Sequence, residues 1–193
     1  MPDFLQYPDR SILMTELADD VATELAEAIA QKGSATLAVP GGTTPGPFLE
    51  ALSKADLDWS KVRVMLTDER FVPESSDRSN TRLLRGTLFQ NNAAAATLVP
   101  FYRDAETPED VFDELTGAIT EALPLDVCVL GMGADMHTAS LFPGADRLDD
   151  ALSADAPVLL PMRAPGALEP RLTLTAPVLR AAGKIHILIA GEE

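Results

Sequence analysis

The chain has 193 residues, 46% of them hydrophobic, enough for one globular domain with a substantial core. Fifteen Lys and Arg against 30 Asp and Glu leave a net charge of -15, which disfavours nucleic acid and anionic lipid as partners and obliges any phosphorylated ligand to be met by locally gathered arginines. No apolar run reaches the length of a membrane span, the first residues lack a signal peptide's basic and apolar regions, and the single Cys128 excludes an internal disulfide and gives no sign of structural zinc, so a soluble cytoplasmic protein is the expectation.

Strands and helices alternate along the chain. "SILMTELADDVATELAEAIAQKG" carries Leu13, Leu17, Val21, Leu25 and Ile29 at i, i+4 spacing, which predicts a helix with Ser11 as N-cap and Gly33 as its stop. "SATLAVPGG" reads as a short buried strand, and Pro45 and Pro47 suit the first turn of a helix through "PFLEALSK". "KVRVMLTDE" is a second strand, and "SNTRLLRGTLF" a helix capped by Ser79 or Asn80. "TPEDVFDELTGAITEALP" is another helix, with Thr107 as cap, Pro108 first, and acids in the first turn where the helix dipole favours them. "LDVCVLGM" is a third strand, Pro143 to Pro170 an irregular excursion, "RLTLT" a strand outside the βα rhythm, "TAPVLRAAG" a short helix and "KIHILIAG" a last strand. Apolar strands separated by helices predict an α/β protein with a mostly parallel sheet covered on both faces.

Ligands of such sheets bind beyond the carboxyl ends of the strands, and polar residues collect there. "PGGTTPG" comes after the first strand: it is either a tight turn or a loop whose backbone N–H groups meet an anion. It matches neither a P-loop nor a dinucleotide fingerprint. "TDERFVP" comes after the second and sets Asp68, Glu69 and Arg70 together, as a solvated loop with a local ion pair or as part of a site. "GADMHTASLFPG" comes after the third. His137, two residues after Asp135, is either a hydrogen-bonded structural histidine or a base oriented by that carboxylate; an imidazole titrates at about 6.5 in isolation. Ser140 lacks the G-x-S-x-G setting of a hydrolase nucleophile. His186 alternates with Ile185 and Ile187 and reads as structural, Cys128 as a small core residue, and two distant histidines argue against a metal site.

Together these stretches resemble the 6-phosphogluconolactonase family, within the superfamily that includes glucosamine-6-phosphate deaminase. The resemblance rests on "PGGTTP" (Pro40 to Pro45), "DERFVP" (Asp68 to Pro73) with Ser79 and Asn80, "GMGADMHTASLFPG" (Gly131 to Gly144), "RLTLT" (Arg171 to Thr175) and "GEE" (Gly191 to Glu193), in order along nearly the whole chain. Deaminases resemble D-E-Y at the second stretch and G-H-I-A-F-N-E-P at the third, whereas this chain has Arg70 and "HTASLFP". Two departures stand out. Met136 occupies the family's Gly between Asp and His, and the chain ends before the Lys that the family uses near the phosphate.

The resemblance implies a Rossmann-like, doubly wound fold of the NagB/RpiA/CoA transferase-like kind. It implies one lactonase domain over residues 1–193, lacking the C-terminal end of the family's domain. The implied reaction is hydrolysis of 6-phospho-D-glucono-1,5-lactone to 6-phosphogluconate in the pentose phosphate pathway, with neither organic cofactor nor metal. His137 is the expected general base and acid, Asp68 positions the water or holds the imidazole, and Arg70 stabilises the oxyanion or steadies Asp68. Gly41, Gly42, Thr43 and Thr44 with Arg171 are the expected phosphate ligands. A sugar-phosphate lactone is then the only partner expected and the chain a monomer, with oligomers left open. A sugar-phosphate isomerase or deaminase and a non-catalytic sugar-phosphate binder of the same fold are the rival readings.

Overall fold

The first apolar ridge forms helix α1, Arg10–Lys32, which buries Met14, Leu17, Val21 and Leu25 and ends at Gly33 in the left-handed conformation. Its N-cap is Asp9, not Ser11: the Asp9 carboxylate accepts from the Ile12 N–H at 2.9 Å, so the helix starts earlier than expected. The computed structural model describes residues 3–165 and 167–191, so Glu192 and Glu193 of the "GEE" stretch lie outside the described residues.

After α1 come β1 (Ala35–Val39), α2 (Gly46–Leu52), β2 (Val62–Leu66), β3 (Asp68–Arg70), α3 (Asn80–Thr87) and β4 (Thr97–Leu98). The remaining elements are α4 (Phe112–Ala122), β5 (Val127–Gly131), α5 (Leu148–Leu152), β6 (Leu159–Met162), β7 (Arg171–Leu174), α6 (Ala176–Arg180) and β8 (Lys184–Leu188). Ser79 caps α3 by accepting from Arg82 N, and a capping box between Thr107 and Asp110 starts the α4 segment, whose first turn is a 3-10 helix over Pro108–Val111.

Five strands form a parallel sheet in the order β4-β2-β1-β5-β8. The chain builds outward from β1 to β4, then returns to the other side of β1 with β5. Between β1 and β5 the winding direction reverses, so the loops after these two strands splay apart and leave a crevice. β1 is buried throughout and β5 nearly so, as expected for central strands of a covered parallel sheet. Leu37, Val39, Val64, Leu66, Val127 and Val129 belong to one core cluster with the α1 ridge and Phe48, Trp59 and Phe101.

A second sheet was not anticipated. β3, β7 and β6 form a three-stranded antiparallel sheet. "KVRVMLTDE" is therefore two strands: the parallel strand stops at Leu66, and after Thr67 the chain crosses to pair Asp68, Glu69 and Arg70 with Thr173, Leu172 and Arg171. The excursion from Pro143 to Pro170 is likewise not irregular throughout, because it contains α5 and the buried strand β6. The two sheets are stitched where Thr67 N donates to Val39 O and Leu174 N to Thr67 O, both at 2.9 Å.

Candidate active site

An open cleft of about 210 Å3 lies at the reversal point between β1 and β5. The loop after β1 lines it with Gly41, Gly42, Thr43 and Thr44, the loop after β5 with Gly133, His137 and Ala139, and the second sheet with Asp68, Arg70 and Arg171. Every residue singled out in the sequence as catalytic or phosphate-binding thus faces one cavity. The crossing of chain at Thr67 accounts for this. It turns a would-be loop into β3, whose alternation sends Asp68 and Arg70 to the cleft and Glu69 to the opposite side. Asp68 and Glu69 are buried, which rules out the solvated-loop reading.

His137 sits in a turn closed on itself: Gly133 N donates to His137 O at 3.0 Å and Met136 N to Gly133 O at 2.9 Å. Its Nδ1 meets Asp135 Oδ1, and its ring packs against Phe142 with centroids 4.3 Å apart. The bond from the imidazole holds the Asp135 carboxyl below its usual range. With Nδ1–H committed to the carboxylate, Nε2 is left as the basic nitrogen. A Cβ at Gly133 would fall 2.4 Å from His137 Cε1, so only glycine lets the ring lie this close to the loop backbone. Met136 and Ala139 flank the histidine with φ of 64° and 50°, left-handed backbone that L side chains rarely adopt. Position 136, where the resemblance leads one to expect glycine, is therefore one at which glycine would be relaxed and Met136 is strained.

Asp68 is held by others than those expected. Ser140 Oγ donates to its Oδ2, and Arg171 Nη1 lies 3.6 Å from the same oxygen. Arg70 instead donates from Nη1 to Arg78 O at 2.7 Å. Arg70 and Arg171 are opposite each other in the β3–β7 ladder, an arrangement that like charges disfavour. Two guanidinium groups against one Asp68 carboxylate leave this wall positive on a protein of net charge -15. The Nε atoms of both arginines are buried and have no hydrogen-bond partner among the described residues. Burial pushes Arg171 down from the usual arginine value and Asp68 pulls it back up; a guanidinium remains charged regardless. The Arg171 guanidinium also lies 5.3 Å from the Phe142 ring centroid, so Phe142 braces both Arg171 and His137.

Sequence reasoning assigned Ser140, Phe142 and Gly133 no role in the site, and Asn80 only a capping one. Asn80 lines the cleft, and its signal was present as the "SN" pair of the second stretch. Outside the cleft, His186 Nε2 meets Glu24 at 2.8 Å, and the buried Cys128 thiol is pushed up to about 12 by desolvation. Among the described residues, no group of three or more His, Cys, Asp or Glu is arranged to hold a metal ion, and no helix is long and apolar enough to cross a membrane.

The profile of the family described as glucosamine-6-phosphate isomerases/6-phosphogluconolactonase matches residues 8–193. The 6-phosphogluconolactonase of Rhizobium meliloti (strain 1021) is 50% identical over 187 residues, which are 96% of this chain and 81% of that protein. The 6-phosphogluconolactonase of Pseudomonas aeruginosa is 46% identical over 174 residues, 89% of this chain and 73% of that one. The crystal structure of a 6-phosphogluconolactonase from Shewanella baltica OS155 superposes with a TM-score of 0.93 at 35% identity, over 96% of this chain and 80% of that one.

Proposed function

The chain belongs to the glucosamine-6-phosphate isomerase/6-phosphogluconolactonase family, and from that premise we propose that it hydrolyses 6-phospho-D-glucono-1,5-lactone to 6-phosphogluconate with His137 as general base. The relatives that bear the lactonase name make it a lactone-hydrolysing enzyme of the pentose phosphate pathway. The observation that carries the finer reading is the convergence of His137, Asp68, Arg70, Arg171 and the Gly41–Thr44 loop on one cleft.

The chemistry proceeds from that arrangement. A water attacks the lactone carbonyl while His137 Nε2 takes its proton; Asp135 stabilises the imidazolium through Nδ1. The carbonyl π electrons move to oxygen, and the positive wall of the second sheet stabilises the oxyanion, with Arg70 as the assigned donor. Collapse of the tetrahedral intermediate breaks the bond to the ring oxygen, which leaves with the proton from His137. Asp68, fixed by Ser140 and Arg171, accepts a hydrogen bond from the attacking water and orients it. Gly41, Thr43 and Thr44 supply N–H and hydroxyl donors to the substrate phosphate, Gly42 with its φ of 87° turns the loop toward it, and the Arg171 guanidinium on the facing wall adds positive charge.

The test is a three-substrate comparison on the chain: the phosphorylated lactone, unphosphorylated glucono-1,5-lactone, and glucosamine 6-phosphate. Lactone opening well above the spontaneous rate, much reduced without the phosphate, with no ammonia released from glucosamine 6-phosphate, is expected. Ammonia release would assign the chain to the isomerase and deaminase side of the family. Tight binding of 6-phosphogluconate without turnover would make it a binding protein.

A further inference from the structure

We infer that Glu69 and Asn80 act as a two-residue positioning relay, in which the buried Glu69 carboxylate fixes the start of α3 so that the Asn80 carboxamide clamps the Gly41–Gly42 loop onto the β3 backbone. This deepens the lactonase reading and rests on it for its kinetic consequences. Neither residue is among those assigned above to the chemistry or the phosphate.

Glu69 is wholly buried on the far side of β3 from the cleft. Its Oε1 accepts from Arg70 N and Asn80 N, both at 2.8 Å. Its Oε2 accepts from Thr81 N at 2.7 Å, Thr81 Oγ1 at 2.8 Å and, more distantly, Ser79 Oγ at 3.3 Å. Burial pushes this carboxyl up and the donated backbone bonds pull it down. Three backbone N–H groups can only donate, so the site requires an acceptor on each oxygen. The carboxylate thereby ties β3 to the first turn of α3 and fixes where Asn80 stands.

Asn80 spans the gap between two cleft walls. Its Nδ2 donates to Asp68 O at 3.1 Å, and its Oδ1 accepts from Gly42 N at 3.3 Å. The carboxamide lies flat against Gly41, where an added Cβ would be 2.0 Å from Asn80 Cγ. The absence of a side chain at Gly41 thus admits the Asn80 amide. A loop assigned to the phosphate, remote from the reacting carbonyl, contributes equally to ground-state and transition-state binding. Loosening it raises KM and leaves kcat nearly unchanged.

The experiment compares wild type, Asn80→Ala, Glu69→Gln and the double variant by steady-state kinetics on the phosphorylated lactone and by amide hydrogen exchange over residues 40–46. Asn80→Ala is expected to raise KM about tenfold with kcat changed less than about threefold, the size of one or two lost hydrogen bonds. Glu69→Gln turns one acceptor into a donor facing N–H groups and is expected to raise KM similarly. The double variant should be within about twofold of the worse single, because both act through one clamp. Exchange over residues 40–46 should quicken in each variant while α1 stays protected. Thr81→Val, which removes a single donor to Glu69, replaces Glu69→Gln if the latter does not fold. Unchanged KM and loop exchange in Asn80→Ala would overturn the inference, as would multiplicative effects in the double variant. If the wild type fails to open the lactone, the functional reading fails, and loop exchange still decides the relay.

Discussion

Met136 offers the sharpest test of local geometry beside the proposed base. Its φ of 64° lies in the left-handed region, and its side chain is 77% exposed. An L residue in that region is strained by roughly 1–2 kcal/mol relative to glycine. Glycine brings back about 0.4–1 kcal/mol of unfolded-chain entropy, and the exposed Met side chain gives up little burial. Met136→Gly is therefore expected to stabilise the protein by about 0.5–1 kcal/mol, which for a chain of this size raises Tm by roughly 1–4 °C. Met136→Ala is the control, since it removes the same side chain and keeps the strain. The measurement is thermal and urea unfolding of the three proteins, and then lactone kinetics at one pH. Glycine should exceed alanine in stability, and activity should remain within about threefold because Asp135, Gly133 and Phe142 still hold the imidazole. A glycine variant no more stable than the alanine one would refute the argument from backbone strain.

Gly133→Ala drives a methyl into the His137 ring, 2.4 Å from Cε1, and the displaced imidazole should lower kcat by about a hundredfold while far-UV circular dichroism is retained. Cys128 is buried and its thiol is pushed up to about 12, so roughly one in ten thousand molecules carries a thiolate at pH 8; iodoacetamide should label the protein only after unfolding. The Arg78 guanidinium, bonded to Glu169, holds that carboxyl below its ordinary value of 4.5. A depressed carboxyl contributes stability that is complete above its unfolded value and lost as pH falls through the folded one. The stability difference between wild type and Glu169→Gln, read from urea midpoints, should then be constant above about pH 5 and shrink below pH 4.5.

The parallel sheet was legible because its strands are apolar runs bounded by helices with strong start and stop residues, such as Pro108 after Thr107 and the Gly33 stop. The second sheet was not. β3 is a short strand made only of the charged residues Asp68, Glu69 and Arg70, and its partner β7 lies about a hundred positions away; no local pattern announces such a pairing. That is why Asp68–Arg70 read as the tail of the second strand or the loop after it, although the alternation of cleft-facing Asp68 and Arg70 around a buried Glu69 is a strand's period of two. The cleft lining was readable from the residues just past the carboxyl end of each strand, since topology alone gathers those ends. Which arginine meets Asp68 was not readable, because Arg171 reaches it only through the β3–β7 register. The strain at Met136 became visible only with a backbone angle in hand.

In the proposed mechanism His137 is the group that moves the proton. Replacing it with Asn keeps a similar shape but cannot take a proton from water, so kcat for the phosphorylated lactone should fall by about a hundred- to ten-thousandfold. Binding of 6-phosphogluconate, measured by calorimetry on the same variant, should stay within about threefold of wild type, because the proposed phosphate ligands are untouched. A His137→Asn enzyme that retains more than about a tenth of the parent's kcat would contradict general-base catalysis by this residue.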